Sequence, residues 1–566
     1  MVKYLYYIIG LLLVSLNGLS QELNLEAISN WRDTGTTRYN DCWAWAQDGK
    51  EYAVIGSRFG AHIIDVTDPQ NIFEVDRVRG RHFGSNVIHR DYKTYNGYLY
   101  AVGDQGNASL QIIDLSYLPD SVHLVYDEDS LLVRSHNIFI DTVNARLYSG
   151  GGSKIGGGNH LRIIDISNPT NPFLLVDCLT EFPWWQVFVG YVHDLYVRDN
   201  IAYVHDEDAF HIIDFTDPLN PVVTGQLSMY VDEGYNHSGW LHEDGSKYIM
   251  FDETIGKRIK MLDVSNPVDI KVDDAFGVYT GDNTNTIAHN GFFLGDLAYV
   301  SYYDDGVYVY DCTDPQNVEI EGYYYINNGP FGTGSAGVWG VYPYLPSGNI
   351  IASDMGSGLH VLKWKTPEVF IESGVDTTYF EGEVTFGAPL RVSLSHATSH
   401  NDITVDLSFD TVSSTADTND FDFIFSDLTG DLPRSITFEK NYTKSFAFDV
   451  SMEGDMIPES DEYIKLKLSN LIGATLGKDE LTLIIKDTLI TSVESLEKDL
   501  LKIYPNPISQ GENINFSEPI SYVLFDISGN KIKEANLANQ LNTANLTRGV
   551  YILRSSKQTV YRIIVN

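Results

Sequence analysis

One short phrase returns along the chain at nearly constant spacing. The phrase is a strand end that reads Ile-Ile-Asp or a close variant, followed by a polar turn and a proline. Its last strand residue is Asp65, Asp114, Asp165, Asp214, Asp263 and Asp311 in six successive copies. These positions are 49, 51, 49, 49 and 48 residues apart. A degenerate seventh copy, "HVLKWKTP", follows 52 residues later at Lys363. Seven units of about 50 residues predict a repeat architecture in which neighbouring units complete one another's cores.

Each unit contains four short apolar runs separated by turn residues. In the fourth unit the pattern predicts strands at 193–197, 201–205, 210–215 and 222–227. Four strands per unit of this length are typical of a β-propeller blade, whereas a solenoid of β-arches gives the same local signals with a shorter period. The Asp-to-Pro phrase predicts the turn into the fourth strand, because Asp side chains bond turn amides and Pro fixes φ.

Composition agrees with an all-β protein of two or three domains. The chain has 566 residues, of which 12% are aromatic and 36 are tyrosines. Lys plus Arg number 38 against 77 Asp plus Glu, for a net charge of -39, so nucleic acid is not an expected partner. We interpret most of this acidity as solubility outside the cell, with divalent cation sites as the alternative.

The first 20 residues are typical of a secretory signal peptide. Lys3 gives a short basic start, residues 4–16 an apolar core, and small polar residues lead to an expected cleavage near Ser20. The apolar run is too short to span a bilayer, and no other stretch approaches about 18 apolar residues, so no transmembrane segment is expected in the mature chain.

The three cysteines are predicted to be free. Cys42, Cys178 and Cys312 lie far apart, and an odd number without CxxC spacing indicates neither a disulfide framework nor a zinc finger. We expect buried thiols, with stability coming from large apolar cores.

The repeats resemble a known family of surface propellers. The segments "SHNIFID", "HSGWLHEDGSKYIMFDE", "TIAHNGFFLGDLAYVSYYDDGVYVYDCTDP" and "GVWGVYPYLPSGNIIASDMGSGLHVL" are similar to the choice-of-anchor B family, whose repeats are of the LVIVD type. The resemblance covers about residues 25 to 365 and implies a seven-bladed propeller over 21–365 at the cell surface. It implies no biochemical mechanism.

Histidines recur at the start of the first strand in successive units. They are His89, His136, His193, His237 and His289. The corresponding position holds Trp339 in the seventh unit and Asn40 or Asp41 in the first. Because first strands line the axis of a propeller, we expect a ring of these side chains at one mouth of the channel. Converging imidazoles could hold a transition metal or an anionic ligand there.

An architectural role explains the same histidines. His193 alternates in phase with Leu195 and Val197, which predicts a packed face. WD-repeat propellers use a histidine at a similar boundary to hydrogen-bond within and between blades. A seven-membered ring with two other residue types also departs from the compact geometry that zinc prefers. Ligand binding and a structural role therefore both remain open.

Acidic residues follow the predicted second strands, and tryptophans occupy one loop. Asp206, Glu207, Asp208, Asp252, Glu253, Asp304 and Asp305 are predicted to be hairpin-turn residues, with a carboxylate rim as the alternative. Trp184 and Trp185 are candidate ligand contacts, with packing at a blade edge as the alternative.

Residues 366–490 predict an antiparallel β-sandwich. The alternation in "RVSLS", "ITVDLSF", "SFAFDV" and "YIKLKLSN" is typical of half-buried strands. "PESDEYIKLKLSN" with "GATLGKDELTLIIKD" resembles a Calx-beta domain. The resemblance implies possible calcium ligands at Glu381, Asp420, Asp455, Glu459, Glu462 and Asp487. Gly454 and the single Asp487 depart from the family pattern, so a spacer domain without calcium is the alternative.

Residues 491–566 contain a linker and the last module. "LKIYPNPISQGENINF", "YVLFDISGNKI", "NTANLTRGVYILR" and "VYRIIV" resemble the type A C-terminal sorting domain of the type IX secretion system. Its distinctive residues are Tyr504, Pro505, Asn506, Pro507, Arg548, Gly549 and Tyr551. The resemblance implies a small β-sandwich with a turn at residues 528–530, the secretion machinery as partner, and a secreted or outer-surface location in a Gram-negative bacterium.

Together these patterns predict an all-β protein: a seven-bladed propeller, an antiparallel sandwich and a small C-terminal sandwich. The first functional hypothesis is a non-enzymatic scaffold that binds an extracellular protein or glycan. The alternative is a metal-dependent enzyme, a hydrolase or lyase, with the histidine ring as ligands and a carboxylate as base.

Overall fold

The structure is a computed structural model. It describes residues 22–35, 38–278, 286–326, 337–374, 377–385, 389–396, 402–416, 419–425, 432–439, 445–453, 460–486, 501–527, 529–555 and 560–566. The expected signal peptide, three of the possible calcium ligands (Asp455, Glu459 and Asp487) and Ser528 lie outside these ranges. The chain divides into two compact units, Met1–Lys365 and Thr366–Asn566.

The first unit is a β-propeller, and among its described residues seven antiparallel sheets have at least four strands each. From the innermost strand outwards they are: blade 1, Tyr39–Gln47, Lys50–Ser57, Gly60–Asp65 and Phe73–Arg79; blade 2, Arg90–Tyr95, Tyr98–Gly103, Leu110–Asp114 and His123–Glu128; blade 3, Asn137–Asp141, Arg146–Gly150, Leu161–Asp165 and Phe173–Asp177; blade 4, Asp194–Arg198, Ile201–His205, Phe210–Asp214 and Val222–Leu227. The others are: blade 5, Asn236–Leu241, Lys247–Asp252, Ile259–Asp263 and Lys271–Phe276; blade 6, Ala288–Leu294, Leu297–Tyr302, Gly306–Asp311 and Glu319–Tyr324; blade 7, Val338–Tyr342, Ile350–Asp354, Gly358–Trp364 and Leu25–Trp31.

A few short elements accompany the blades. Glu22–Leu23 adds an edge to the outer strand of blade 6, and Ser153–Lys154 pairs with Gly157–Gly158 in a small hairpin. Two short helices and one 3₁₀ turn complete the described part of the unit, at Cys178–Glu181, Trp185–Phe188 and Pro267–Asp269.

The ring of blades closes through the N-terminal segment. The innermost strands contact one another in sequence, and the innermost strand of blade 7 contacts that of blade 1. Leu25–Trp31 supplies the outer strand of blade 7, so one blade combines both ends of the repeat region. Leu25 is fully buried beside Leu362 and Trp364. This pairing makes closure depend on contacts between residues more than 300 positions apart.

The Ile-Ile pair of the repeated phrase has a packing cause. Adjacent residues of a strand point to opposite faces, and both faces of a blade are covered by neighbouring blades. In blade 4, Ile212 packs in the core shared with blade 5, while Ile213 packs in the core shared with blade 3. Two consecutive apolar residues therefore serve two different cores.

The Asp of the phrase forms the predicted turn. In six blades the carboxylate at the end of the third strand accepts a hydrogen bond from the backbone N–H two residues later, at 2.7 to 3.0 Å. The prediction that this phrase is turn chemistry is confirmed. The three cysteines are buried free thiols, also as predicted.

The second unit contains a β-sandwich and a separate C-terminal sheet. One sandwich sheet consists of Phe421–Phe425, Ser445–Met452, Leu390–Leu394, Glu368–Ser373 and Thr475–Leu476. The other consists of Thr378–Phe380, Glu480–Lys486, Glu462–Ile472, Ile403–Phe409 and Arg434–Phe438. The inward-facing residues of both sheets form one core.

The C-terminal sheet is built from Ile503–Tyr504, Asn513–Asp526, Lys531–Asn542, Gly549–Ser555 and Val560–Val565. Asn506 ties its start to its last strand, because its Oδ1 accepts from the N–H of Ile564 at 2.8 Å. Pro505 and Pro507 flank this residue on both sides. Arg548 precedes the strand that begins at Gly549.

Tyr551 lies in that strand, and its hydroxyl donates to the carbonyl of Thr547 at 2.9 Å. The predicted sorting-signal residues therefore lie in the first and fourth strands of one sheet or directly beside them.

Candidate functional site

Five histidines and one tryptophan form a closed ring of aromatic side chains at one mouth of the propeller channel. The ring order is His89, His136, His193, His237, His289 and Trp339. Successive ring centroids lie 4.2, 4.2, 4.6, 4.7, 4.8 and 5.4 Å apart, the last distance joining Trp339 back to His89. The structure therefore brings all five predicted histidines together.

Local strand geometry places these side chains on the axis. His136 and His193 immediately precede the innermost strands of their blades. His237, His289 and Trp339 each occupy a β-bulge near the start of the innermost strand, where the register shifts by one residue. A bulge re-aims the side chain of the extra residue, and here it turns the ring towards the channel.

Blade 1 contributes no member to the ring. The side-chain amide of Asn40 donates to the carbonyl of Ile88 at 3.1 Å, which directs it to blade 2. The next residue, Asp41, lies deeper in the channel. The ring closes without blade 1 because the large indole of Trp339 reaches His89 directly.

Each of four ring histidines has a polar partner that is not one of the ring side chains. Nδ1 of His136 lies 3.1 Å from Oδ2 of Asp104, and Nδ1 of His193 lies 2.8 Å from the Tyr235 hydroxyl. Nδ1 of His289 donates to the carbonyl of Trp339 at 2.6 Å. His237 has its Nε2 at 3.6 Å from Oε2 of Glu253. Such partners fix the ring orientation and the tautomer of an imidazole.

Burial favours the uncharged form of four of the ring histidines, His89, His193, His237 and His289. Loss of hydration lowers the pKa of His89 and His237 well below the usual value, with the neighbouring histidines adding to the effect. Burial also lowers the pKa of His193 and His289. A neutral imidazole keeps one nitrogen lone pair, which is the form that ligates metals.

Two of the predicted turn carboxylates reach this mouth. Glu207 accepts a hydrogen bond from the Tyr235 hydroxyl at 2.7 Å, and the nearby His193 imidazole, 3.6 Å away, lowers its pKa. Glu253 accepts from the Tyr303 hydroxyl and faces His237. One ligand atom from each of His193, His237 and Glu253 lies within 4.8 Å of the other two. Glu207 and Glu253 therefore form part of a carboxylate rim, which was the alternative to a hairpin-turn role. Asp206 has the turn role, because its carboxylate accepts a hydrogen bond from the N–H of Ala209.

A small polar cavity lies below the ring. Its volume is about 50 Å³, and Asp41, Asp91, Lys93 and Asp194 line it. Lys93 donates to Asp91 at 2.7 Å. Burial, followed by the nearby Asp91 carboxylate, raises the pKa of Asp194 to about 7. A space of this size accommodates a few water molecules and excludes an organic ligand.

The opposite mouth of the channel is an aromatic bowl. It is a cavity of about 350 Å³ whose aromatic lining consists of Trp43, Phe139, Tyr196, Trp240 and Tyr344. The Trp240 ring lies 4.7 Å from Tyr196 and 5.7 Å from Phe139, mostly edge to face. Polar groups at the same bowl are Lys93, Thr94, Asp141, Arg198 and Asp199.

Sequence reasoning missed this bowl, although a signal for it exists. In blades 3 to 7 an aromatic residue follows the ring position by three residues, at Phe139, Tyr196, Trp240, Phe292 and Tyr342. Phe139, Tyr196 and Trp240 stand nearer the other end of their innermost strands and line the bowl. Phe292 packs against Trp240, and Tyr342 packs against Trp43. The constant spacing of three residues between the ring position and an aromatic residue was the clue in the sequence.

The other predicted contacts do not join either mouth. Trp185 is fully buried in the core between blades 3 and 4, so packing explains it. Trp184 is partly exposed and stacks on Phe182 at 5.8 Å. The described calcium candidates, Glu381, Asp420 and Glu462, belong to the sandwich in the second unit.

Three segments match two known sequence families. Residues 155–180 and 189–228 match the LVIVD repeat, and residues 502–566 match the secretion system C-terminal sorting domain. No curated protein matches the chain. Among the described residues, no helix is both long and apolar enough to cross a membrane.

Several solved structures are similar to this chain. The RRP9 WD40 repeats are 9% identical, with 60% of this chain and 97% of that chain covered and a TM-score of 0.42. The Cps50 (Swd1) β-propeller domain of Myceliophteria thermophila is 12% identical, with 60% and 100% covered and a TM-score of 0.41. A putative 6-phosphogluconolactonase from Bacteroides fragilis is 10% identical, with 57% and 89% covered and a TM-score of 0.38.

The sorting domain indicates export by the type IX secretion system, whose machinery is therefore a partner of this chain. It also indicates that the protein is secreted or displayed on the outer surface. The chain is thus an exported β-propeller protein that carries LVIVD repeats and a C-terminal sorting domain.

Proposed function

We propose that this exported propeller is a non-enzymatic binding protein whose ligand is a glycan held in the aromatic bowl. The observation that carries the proposal is the bowl itself, a concavity of about 350 Å³ lined by five aromatic side chains. Its volume falls in the range of roughly 300–1,000 Å³ that small-molecule sites occupy. Sugar rings present apolar C–H faces that pack flat against indole and phenol rings.

The polar residues of the bowl suit hydroxyl recognition. Arg198 is anchored on the carbonyl of His242 at 3.1 Å, which holds its guanidinium at the rim. Asp199 is exposed beside it, and Thr94 is held by the indole N–H of Trp43 at 3.0 Å. Ligand sites usually combine an aromatic lining with a few fixed hydrogen-bond donors and acceptors, which determine the orientation of the bound ligand.

Two finer assignments belong to the same proposal. The propeller is a member of the choice-of-anchor B family, and the sandwich is a Calx-beta-type spacer that carries calcium. In support of the latter, the N–H of Glu381 donates to the carbonyl of Lys486 at 3.1 Å, and Glu462 is paired with the neighbouring Ile485. The carbonyl of Asp420 accepts from the N–H of Glu453 at 2.8 Å, next to Met452, whose carbonyl accepts from Gly382. These contacts gather three carboxylate residues at one end of the sandwich.

The glycan proposal is tested with the full mature chain. A panel of immobilised oligosaccharides and polysaccharides identifies a bound sugar, and isothermal titration calorimetry measures its affinity. We expect Trp43→Ala to weaken binding by about 30-fold, the size of a hot-spot contact of roughly 2 kcal/mol.

Trp184→Ala is the matched control, because it removes a partly exposed tryptophan that does not line the bowl. Its affinity should equal that of the wild type. A panel with no bound sugar, or a sugar whose affinity Trp43→Ala leaves unchanged, contradicts the proposal.

A further inference from the structure

We propose that the histidine mouth holds one divalent transition-metal ion, with His193, His237 and Glu253 as its protein ligands. One ligand atom of each residue lies within 4.8 Å of the other two. This inference does not rest on the glycan proposal, since the aromatic bowl is lined by none of these residues.

The unused nitrogen atoms are the first argument. Nε2 of His193 is buried and has no hydrogen-bond partner among the described residues. Nε2 of His237 faces Oε2 of Glu253 at 3.6 Å, a distance too long for a hydrogen bond. A buried polar atom without a partner costs about 1–3 kcal/mol, so native proteins seldom leave one unsatisfied. The two rings are already in contact, with centroids 4.6 Å apart. A bound cation satisfies lone pairs that no protein group satisfies.

A chain of hydrogen bonds prepares His193 for ligation. Its Nδ1 donates to the Tyr235 hydroxyl, which in turn donates to Oε1 of Glu207. This direction of donation leaves the proton on Nδ1 and the lone pair on Nε2. Carboxylate-backed imidazoles of this kind recur around bound metals, where the outer partner fixes the ring and raises its basicity.

Glu253 is prepared in a similar way. Its Oε1 accepts the hydrogen bond of the Tyr303 hydroxyl, while its Oε2 faces Nε2 of His237 at 3.6 Å. The carboxylate is thus held by one oxygen and presents the other to the histidines. It also brings the negative charge that two neutral imidazoles lack.

The donor set selects the class of ion. Two imidazoles and one carboxylate suit zinc, copper, nickel or cobalt, whereas calcium and magnesium favour oxygen ligands. Metal–ligand bonds of about 2.0–2.2 Å bring the three donors closer together than they now lie, which small side-chain rotations achieve. Three protein ligands leave at least one coordination position open to solvent or to an anionic group.

The test uses the full mature protein after treatment with a chelator. Titration with Co²⁺ should give one equivalent of binding with visible d–d absorption, and Zn²⁺ should displace it. Glu253→Gln preserves the size of the side chain and should weaken Zn²⁺ binding at least 30-fold by calorimetry. Tryptophan fluorescence and the melting temperature without metal establish that the variant is folded.

His62→Gln is the matched control. His62 is another buried histidine, with Nδ1 3.2 Å from a glutamate, Glu74, but it lies in blade 1 outside the ring. We expect its metal affinity to equal that of the wild type. Absence of stoichiometric Co²⁺ and Zn²⁺ binding, or equal affinity in Glu253→Gln and wild type, overturns the proposal. A loss of metal in His62→Gln equal to that in Glu253→Gln also overturns it.

Discussion

A fully buried ion pair in blade 5 allows a quantitative test of how the propeller is held together. Lys260 and Asp252 are both 0% exposed, and Nζ lies 2.5 Å from Oδ2. Nζ also donates to the backbone carbonyls of Asp232 and Arg258, each at 2.7 Å. Oδ1 of Asp252 accepts from the Tyr230 hydroxyl at 2.8 Å. All three ammonium protons and both carboxylate oxygens are therefore engaged.

Replacing Lys260 with Met keeps the aliphatic stem and removes the charge. The Asp252 carboxylate then remains buried with only one hydrogen bond, and breaking a buried pair from one side costs about 3–5 kcal/mol. The double variant Lys260→Met, Asp252→Asn removes the orphaned charge and keeps an acceptor for the Tyr230 hydroxyl. We expect it to recover at least about half of the loss, because the charge causes most of the penalty.

Urea unfolding followed by tryptophan fluorescence measures this loss. All eight tryptophans of the chain lie between Trp31 and Trp364, so the signal reports on the propeller unit alone. Lys271→Met is the control in the same blade, since its pair with Asp269 is about 60% exposed on both sides and should cost less than about 1 kcal/mol. A Lys260→Met variant within 1 kcal/mol of wild type, or a double variant no more stable than the single one, refutes this reasoning.

Three further predictions follow from the fold. Leu25→Ala should lower the free energy of unfolding of the propeller by about 2–5 kcal/mol in the same urea assay, because it opens a cavity in the closing strand of blade 7. His242 is buried, which opposes protonation, but ion pairs with Asp296 at 3.4 Å and Asp244 at 3.0 Å raise its pKa overall. Its stabilising contribution is therefore complete below its unfolded pKa of about 6.5 and is lost as pH rises through the folded pKa, so His242→Gln should cost less at about pH 9 than at about pH 6 by urea titration. Deletion of residues 502–566 should abolish export, with the protein found inside the cell envelope by fractionation, while the propeller still folds.

Local strand structure was predictable because every repeat contains the same pattern of apolar runs and turn residues. The strands predicted for the fourth unit differ from the observed ones by one residue at three ends. A short apolar run that is buried on both faces and bounded by turn residues at fixed offsets has few conformations other than a strand. The Asp214 turn illustrates this, since its carboxylate bonds the N–H of Thr216 at 2.7 Å with no help from distant residues.

The closed ring was predicted, but the strand that closes it was not, for the opposite reason. The seventh unit ends at Trp364, and its fourth strand, Leu25–Trp31, comes from the start of the chain. No local pattern in Leu25–Trp31 specifies its partner strand. The pairing depends on the unpaired edge of the third strand of blade 7, Gly358–Trp364. The clue in the sequence was the module change after Lys365, which leaves no residues for a fourth strand.

The candidate site was likewise predictable in part, because some of its features follow from the repeat and others from contacts between residues distant in sequence. A position that recurs in each repeat becomes a ring when the blades close, so the five histidines could be grouped from spacing alone. Chemistry, however, is introduced by the residues that differ between blades. Glu253 is a turn residue by its sequence context. The pairing of the first two strands of blade 5 brings it against His237, and the ring brings both near His193 of blade 4. Lys93, four residues after His89, likewise adds a charge to the aromatic bowl and lines both cavities. The repeat therefore builds two mouths of fixed shape, and the departures from the repeat decide what each mouth can bind.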